Sequence, residues 1–229
     1  MAEATRPDAA VTGAAAVGAG PAAGAPAQVA RPAPVTGNGF IFVLSGPSGA
    51  GKGTLLAYLF QHRPDCVFSV SATTRPRRIS EAEGREYLFL ARDEFERRRD
   101  AGEFLEWAEV HGNLYGTPVS EVDARLREGK VVVLDVDVQG GASMRRVRPD
   151  AVSVFIYPPS LDALHQRLLS RGTDSPEVIA ERLGNAPGEI AQWKHYDYVI
   201  MNDRLDLAQQ QLLAIHDAEY ARPHRKRFS

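Results

Sequence analysis

The stretch FIFVLSGPSGAGKGT, residues 40–54, restricts the possible fold more than any other part of this chain. It begins with an uninterrupted apolar run, Phe40–Leu44, of the kind that forms a strand buried on both faces of a sheet. A glycine-rich loop follows, and Thr54–His62 then has the pattern of a helix. Strand, glycine loop and helix in this order are the context in which the motif G-x-x-x-x-G-K-[S/T] binds nucleotide phosphates. The stretch therefore predicts an α/β fold with a phosphate site at the start of a helix.

The loop has the groups that phosphate binding requires. Gly46 and Gly51 let the backbone turn tightly and direct its N–H groups at phosphate oxygens, and the following helix adds its positive N-terminal end. Lys52 brings a cation to the β- and γ-phosphates. The loop residues predicted to bind ATP are Gly46, Pro47, Ser48, Gly49, Ala50, Gly51, Lys52, Gly53 and Thr54. The alternative is a glycine turn with a solvated lysine.

One motif position departs from the pattern. Gly53 stands where a serine or threonine normally offers a hydroxyl to Mg²⁺. Magnesium often keeps several of its waters, so a water molecule or Thr54 can take that ligand position. Asp135 ends the apolar run VVVLD and is predicted to hold Mg²⁺ directly or through water. Its alternative role is to cap the next helix.

The rest of the chain alternates apolar strands with helices. Further predicted strands of the core are Val131–Val138, Val152–Tyr157 and Tyr198–Asn202. Predicted helices are Val119–Glu128, Gln139–Arg146, Ser160–Arg171, Pro176–Trp193 with an interruption near Pro187, and Leu205–Tyr220. This alternation predicts a parallel, doubly wound sheet flanked by helices.

The segment between about Val67 and Val119 interrupts that rhythm and is predicted to be an inserted lobe. Its predicted strands are Val67–Ser71, Tyr87–Leu90 and Phe104–Val110. Asp93–Glu96 is predicted to be a capping box that opens a helix.

Composition narrows the class of protein. The net charge of −2 argues against a dominant nucleic-acid or membrane-surface role. A lone cysteine, Cys66, cannot form an internal disulfide, which favours a cytoplasmic location. The Ala-, Gly- and Pro-rich residues 1–38 are predicted to be a disordered tail, and the basic residues 221–229 a frayed end.

Several motifs, in order, resemble those of bacterial guanylate kinases: GPSGAGK, TTRPRR, EGREY, GEFLEWAEVHGNLYGT, LDVDVQGG, RLLSRGTDSPEVI and YDYVIMND. The resemblance covers residues 39–220. It implies transfer of a phosphoryl group from ATP to GMP, and also to dGMP, in purine nucleotide metabolism and GMP recycling. It further implies a P-loop kinase with a core (39–66, 119–157 and 194–220), a small mixed α/β GMP-binding lobe (67–118) and a helical lid (about 160–193).

The resemblance also assigns the GMP site. Its phosphate-binding residues would be Ser71, Arg75, Arg78 and Tyr87, with Tyr115 beside them. Arg77 stands where the family usually has proline, but the length is unchanged, so Arg78 keeps the clamp role. The residues that would recognise guanine are Glu106, Thr117 and Asp137. Carboxylates suit this role because guanine presents N1–H and its 2-amino group as donors.

The remaining assignments concern the phosphoryl group and the adenine. By resemblance, Arg167, Arg171 and Arg182 of the lid join Lys52 in neutralising the transferring group, and Asn202 contacts ATP. No general base is required, because a phosphate monoester with a second pKa of about 6 is largely ionised at neutral pH.

Two other functions stay open at this stage. The first alternative is another nucleoside monophosphate kinase, because GKGT is also the loop sequence of adenylate kinases. The second is a non-catalytic guanylate-kinase-like binding domain, which the intact loop disfavours. The expected partners are the substrates ATP and GMP, and neither nucleic acid nor a membrane is expected. Whether the chain forms a homo-oligomer is left open.

Overall fold

The computed structural model describes residues 39–77, 81–84, 87–110, 112–171 and 175–225, without the side chains of Val110, Arg171 and His224. The tail predicted over residues 1–38 and the end of the chain, 226–229, lie outside the described residues. No helix of the described part is long and apolar enough to cross a bilayer.

The described strands and helices alternate along most of the chain. The strands are β1 Ile41–Ser45, β2 Cys66–Phe68, β3 Ser71–Thr73, β4 Tyr87–Phe89, β5 Phe104–Val110, β6 Asn113–Pro118, β7 Val131–Asp135, β8 Val152–Tyr157 and β9 Tyr198–Met201. The helices are α1 Lys52–His62, α2 Arg92–Asp100, α3 Val119–Arg127, α4 Val138–Val147, α5 Leu161–Arg171, α6 Pro176–Ile190 and α7 Leu205–Tyr220. Short 3₁₀ turns follow at Ala191–His195 and Pro223–Arg225.

The core is a five-stranded sheet in the order β2-β7-β1-β8-β9, and all of its strand pairs are parallel. Its central strand β1 is buried at every residue, as its apolar sequence predicts. Phe42 and Leu44 pack with residues of α1 and α7 on one face. Ile41 and Val43 pack with residues of α3 and α4 on the other. Helices on both faces confirm the predicted parallel α/β class.

The inserted lobe has its own four-stranded sheet in the order β4-β3-β6-β5, with α2 against it. Its small core contains Ala72, Phe95, Phe104 and Leu114. The rings of Phe95 and Phe104 stack with centroids 4.4 Å apart. The lobe thus has a hydrophobic centre of its own, separate from that of the core sheet.

The predicted strand Val67–Ser71 is wrong as a single element. β2 pairs with β7 in the core sheet, whereas β3 pairs with β4 and β6 in the lobe. The chain leaves one sheet and enters the other between Phe68 and Ser71, so Val67 and Phe68 belong to the core sheet. A continuous β-forming sequence cannot reveal such a change of sheet.

Two further helix predictions are wrong. The capping box at Asp93–Glu96 does not open α2, which begins one residue earlier after Ala91, with no side-chain cap. Glu94 binds Arg97 and Arg98 instead. The helix α6 continues through Pro187 to Ile190 without interruption. Burial of its Ile179 and Ala186 helps offset the one backbone hydrogen bond that proline removes.

The C-terminal segment packs on the core, so the prediction of a frayed basic end is wrong for residues 221–225. Arg225 is 8% exposed, and its guanidinium carbon lies 4.2 Å from the centroid of the Phe40 ring. Its Nη2 lies 3.4 Å from the carboxylate of Glu219, which is also buried. A buried acid and the cation–π contact hold this segment in place.

Candidate active site

The glycine loop lies between β1 and α1, at the carboxyl edge of the core sheet. Gly46 has φ 144°, and a Cβ placed there would lie 2.5 Å from the carbonyl oxygen of Ile156. Gly51 has φ 96°, and a Cβ there would collide with the amide of Asn202. Both positions therefore require glycine, for conformation and for space.

Lys52 is the first residue of α1 and reaches back across the loop. Its Nζ donates a hydrogen bond of 2.9 Å to the carbonyl oxygen of Gly46. The same atom lies 3.9 Å from Oδ1 of Asp135, and both side chains are largely buried. Asp135 ends β7 directly beside Leu44 of β1, which puts it next to the loop. A cation and a carboxylate thus face the region where the loop presents its backbone N–H groups.

Two side chains that are distant in sequence, those of Asn202 and Arg167, hydrogen-bond to the backbone of the loop. Nδ2 of Asn202 donates to the carbonyl oxygen of Ala50 at 2.7 Å, and Asn202 is 4% exposed. Nη1 of Arg167 donates to the same oxygen at 3.3 Å, and Nη2 donates to the carbonyl oxygen of Asn202 at 2.9 Å. These contacts position the loop. A contact of either residue with ATP stays a prediction.

The segment predicted to be a lid contacts the loop through Arg182 of α6. Its Nη1 donates a hydrogen bond of 2.9 Å to Oγ of Ser48. Arg171 ends α5, but its side chain lies outside the described residues, as does the whole of Arg78. The structure therefore brings one of the two lid arginines predicted beside Arg167 directly to the loop.

The residues predicted to recognise guanine come together on β5, β6 and the start of α4. Glu106 and Thr117 are direct cross-strand partners, and Oγ1 of Thr117 donates to Oε1 of Glu106 at 2.6 Å. Burial raises the pKa of Glu106, and the nearby charge of Asp137 adds to the increase, while the Thr117 hydrogen bond opposes it. Asp137 caps α4, because its Oδ1 accepts the backbone N–H of Gly140 at 2.7 Å.

The charge of Asp137 connects the two halves of the site. Burial raises its pKa, whereas the Gly140 N–H and the cation of Lys52 act in the opposite direction. Asp137 therefore lies within electrostatic range of both Lys52, in the loop, and Glu106, in the lobe.

Three of the predicted phosphate-binding residues are neighbours on the lobe sheet. Ser71 and Tyr87 are paired on β3 and β4, and the Tyr87 and Tyr115 rings have centroids 6.0 Å apart. The guanidinium carbon of Arg75 lies 5.6 Å from the Tyr87 ring centroid. Nη2 of Arg75 donates to Oε1 of Glu81 at 2.7 Å. A carboxylate thus binds the cation that is predicted to bind phosphate.

Glu81, which binds Arg75, is a residue of the candidate site that the sequence reasoning missed, and Glu189 of α6 lies within electrostatic range of Lys52 and Arg182. Burial raises the pKa of Glu189, while the charges of Lys52 and Arg182 favour its ionised form. One signal could have revealed it: Glu189 follows Arg182 by seven residues, two helical turns, which puts both on one face of α6. Glu81 lies in an irregular segment, where spacing carries no such signal.

The parallel sheet and the glycine loop with its lysine, beside a separate small lobe, define a P-loop nucleotide-binding protein. The sequence model of the family described as guanylate kinase matches residues 39–219. The chain belongs to the guanylate kinase family.

Individual relatives agree with this assignment. The chain is 52% identical over 184 residues to a guanylate kinase of Symbiobacterium thermophilum, covering 80% of this chain and 87% of that protein. It is 46% identical over 207 residues to one of Rhizobium meliloti, covering 90% and 92%. The crystal structure of guanylate kinase from Anaplasma phagocytophilum superimposes with a TM-score of 0.59 at 35% identity, covering 82% of this chain and 89% of that one.

Proposed function

We propose that this protein transfers the γ-phosphoryl group of ATP to GMP, giving ADP and GDP, and that it also accepts dGMP. The observation that carries this proposal is geometric: Asp135, at the end of β7, lies 3.9 Å from Nζ of Lys52, and α4, which Asp137 caps, packs against β5, the strand of Glu106. This placement supports a phosphate site and a guanine-compatible site in one cleft. Family membership supports both substrates.

Guanine recognition follows from two acceptors, Glu106 of the lobe and Asp137 at the start of α4. Ionised Glu106 and Asp137 accept the N1–H and 2-amino donors of guanine, and Thr117 holds one carboxylate oxygen of Glu106 at 2.6 Å. Adenine would direct its N1 lone pair at a carboxylate. Buried acceptors left without donors disfavour such a substrate by roughly 10⁴-fold.

The GMP phosphate is proposed to bind at Ser71, Arg75, Tyr87 and Tyr115, with Arg78 completing the clamp. Arg75 now donates a hydrogen bond of 2.7 Å to Glu81. When GMP binds, its phosphate either displaces Glu81 from the guanidinium of Arg75 or shares that guanidinium with it. Glu81 therefore keeps the cation in position before substrate arrives, at some cost in phosphate affinity. Releasing a buried carboxylate is acceptable because the incoming group is a dianion.

Transfer itself needs positioning and charge neutralisation rather than a base. The attacking oxygen is already ionised, so the protein has to hold two anionic groups in line. Lys52 and Arg182 supply charge at the loop, and Arg167 and Asn202 fix the loop backbone. Arg171 is proposed to join them from the end of α5.

Mg²⁺ is the expected companion of ATP, and the residues near the loop fit a hydrated ion. A Cβ on Gly53 would meet no atom within 4 Å, which leaves room for water in place of a hydroxyl. The carboxylate of Asp135, 3.9 Å from Nζ of Lys52, would hold the ion directly or through water. When bound, the ion would neutralise charge on the β- and γ-phosphates.

A coupled assay of ADP formation with GMP, dGMP or AMP as acceptor tests this function. We expect turnover with GMP and dGMP, and AMP turnover lower by several orders of magnitude. Equal rates with GMP and AMP would point to a different nucleoside monophosphate kinase. No turnover with any acceptor, combined with GMP binding, would point to a binding domain. We also propose a cytoplasmic location.

A further inference from the structure

A second group of chemically reactive side chains lies at the opposite edge of the core sheet. Asp65 and Cys66 stand at the start of β2, and His216 extends from α7. Cys66 pairs with Val131, the first residue of β7, so the group lies at the amino ends of the parallel strands. The glycine loop follows the carboxyl end of β1, which separates this group from the nucleotide cleft by the length of the strands.

The donor atoms of the three side chains converge. The Cys66 sulfur, one Asp65 carboxylate oxygen and one His216 ring nitrogen all lie within 4.8 Å of one another. Nε2 of His216 is 3.2 Å from Oδ2 of Asp65. Tetrahedral zinc has bonds of about 2.0–2.3 Å, which place its ligand atoms roughly 3.3–3.8 Å apart. Small rotations of the side chains would close the present arrangement to that geometry.

The other ring nitrogen of His216 is already oriented. Nδ1 lies 3.0 Å from Oδ1 of Asp217, and Asp217 accepts a hydrogen bond of 2.7 Å from Nε of Arg63. An acceptor at Nδ1 requires the proton there, which leaves the Nε2 lone pair of the neutral ring facing Asp65. Nε2 and the Asp65 oxygen, 3.2 Å apart, need either a proton or a metal ion between them. Carboxylates commonly orient metal-binding histidines in this way.

The surrounding packing holds the group in place. The His216 ring stacks on Tyr220 at 5.9 Å between centroids and also contacts Phe40. Cys66 and His216 are buried, whereas the Asp65 side chain is 28% exposed and provides access from solvent. The backbone is fixed too, because the carbonyl oxygen of Asp65 accepts the N–H of Val131 at 3.0 Å. Ligands on rigid elements lose little freedom on binding.

We propose that Asp65, Cys66 and His216 form a structural binding site for one Zn²⁺ ion. Sulfur, imidazole and carboxylate donors together suit zinc rather than magnesium, which prefers oxygen. On binding, the S–H bond of Cys66 breaks, a Zn–S bond forms, and the proton passes to solvent. Water or the second carboxylate oxygen of Asp65 completes the tetrahedron. The site ties the start of β2 to α7 and takes no part in phosphoryl transfer.

The test uses the full chain stripped with a chelator and titrated with Zn²⁺ or Co²⁺ alone. We expect one Zn²⁺ per chain, a higher melting temperature with Zn²⁺, and a thiolate-to-cobalt charge-transfer band in the near ultraviolet. Because Cys66 is the one cysteine of the sequence, such a band can come only from this residue. Cys66→Ala should abolish the band and weaken zinc binding about 100-fold.

Two further variants separate a built site from incidental binding. Asp217→Asn keeps side-chain volume but removes the carboxylate that orients His216, so zinc affinity should fall about 10- to 100-fold. His165→Gln alters an exposed histidine of α5 and should change nothing. If Cys66→Ala and Asp217→Asn bind zinc as the parent does, or no cobalt–thiolate band forms, the site does not exist. His216 would then be a protonated bridge between Asp65 and Asp217.

Discussion

The glycine loop and the pocket proposed for guanine at Glu106 and Asp137 would hold their ligands by different physical means. The loop is predicted to bind phosphate chiefly through its backbone, whose shape is fixed by Gly46, Gly51 and the buried amide of Asn202. The pocket is predicted to bind its ligand through side chains, the carboxylates of Glu106 and Asp137. One site depends on conformation and the other on charge and hydrogen-bonding capacity.

That difference explains which sequence changes each site tolerates. In the loop, Gly53 replaces the usual hydroxyl residue without affecting any backbone contact, since its Cβ position is open. In the pocket, Glu106 has a direct hydrogen-bond partner in Thr117, so even an isosteric change alters the pattern of donors and acceptors. A backbone site can therefore vary at a side chain, whereas a side-chain site cannot.

The largest effect is expected for a change of Lys52, the loop residue proposed to act on the transferring phosphoryl group. Lys52→Met removes the one loop cation aimed at the transferring group and should lower kcat about 10³-fold, roughly 4 kcal/mol of barrier. GMP affinity, measured by calorimetry, should stay within about threefold, because the lobe is untouched. Lys194→Met, at an exposed lysine after α6, is the matched control. Undiminished turnover would show that the loop does not act on phosphate.

Glu106→Gln should act on the acceptor substrate alone. The amide keeps the shape of the side chain but presents a donor that can face the guanine donors, so KM for GMP should rise about 100-fold. KM for ATP should stay unchanged in steady-state kinetics. Glu109→Gln, three residues further along β5 and exposed, serves as control. A parallel rise in both KM values would contradict the division between the two sites.

The same carboxylates predict a pH dependence. Burial raises the pKa of Glu106 and of Asp137, so each becomes protonated at a higher pH than an ordinary carboxyl group. A protonated carboxyl group carries a hydrogen-bond donor that faces the donors of guanine. GMP binding should therefore weaken as pH falls through the raised pKa values, by about tenfold per pH unit once protonation dominates. The kcat/KM for GMP, measured from pH 8 down to about pH 5, reports the free-enzyme groups. Glu106→Gln should reduce the slope of this pH profile. If the profile of the variant is unchanged, the pH dependence comes from the GMP phosphate instead.

Substitutions of the loop glycines Gly51 and Gly53 by alanine form a matched pair for measuring the effect on protein stability. Gly51→Ala introduces a Cβ at φ 96° and against the amide of Asn202, so it should destabilise the protein by about 1–3 kcal/mol in denaturant unfolding. Gly53→Ala lies in the first turn of α1 with open space around it and should stabilise by about 0.5–1 kcal/mol. Equal effects of the two changes would mean that the loop conformation is not fixed by glycine.

The smallest effect is expected for Gly53→Ser. It restores the usual magnesium hydroxyl in open space, and we expect kcat to change by less than about tenfold, a barrier change below about 1.4 kcal/mol. Activity at limiting Mg²⁺ concentration is the sensitive measurement. A much larger gain would mean that the natural loop depends on a ligand it lacks.

The sequence predicts most of the fold because the core signals are local. β1, the loop and α1 follow one another without a gap, and apolar strands define the parallel sheet. The strand β6 was missed because its residues include Gly116 and Pro118, which disfavour strands. The side-chain contacts could not be predicted. Asn202 reaches Ala50 across 152 residues, and Glu81 binds Arg75 within an irregular segment.

The packing of Arg225 on Phe40 brings the two ends of the described domain together at the amino edge of the sheet, away from the glycine loop. A short linker could therefore join residue 225 to residue 39, and new termini could be opened elsewhere at an exposed turn such as Ala101, after α2. Circular permutants of this kind should keep the order of the sheet. Fusion partners joined directly at residue 39 or residue 225 would lie at the edge of the sheet opposite the glycine loop.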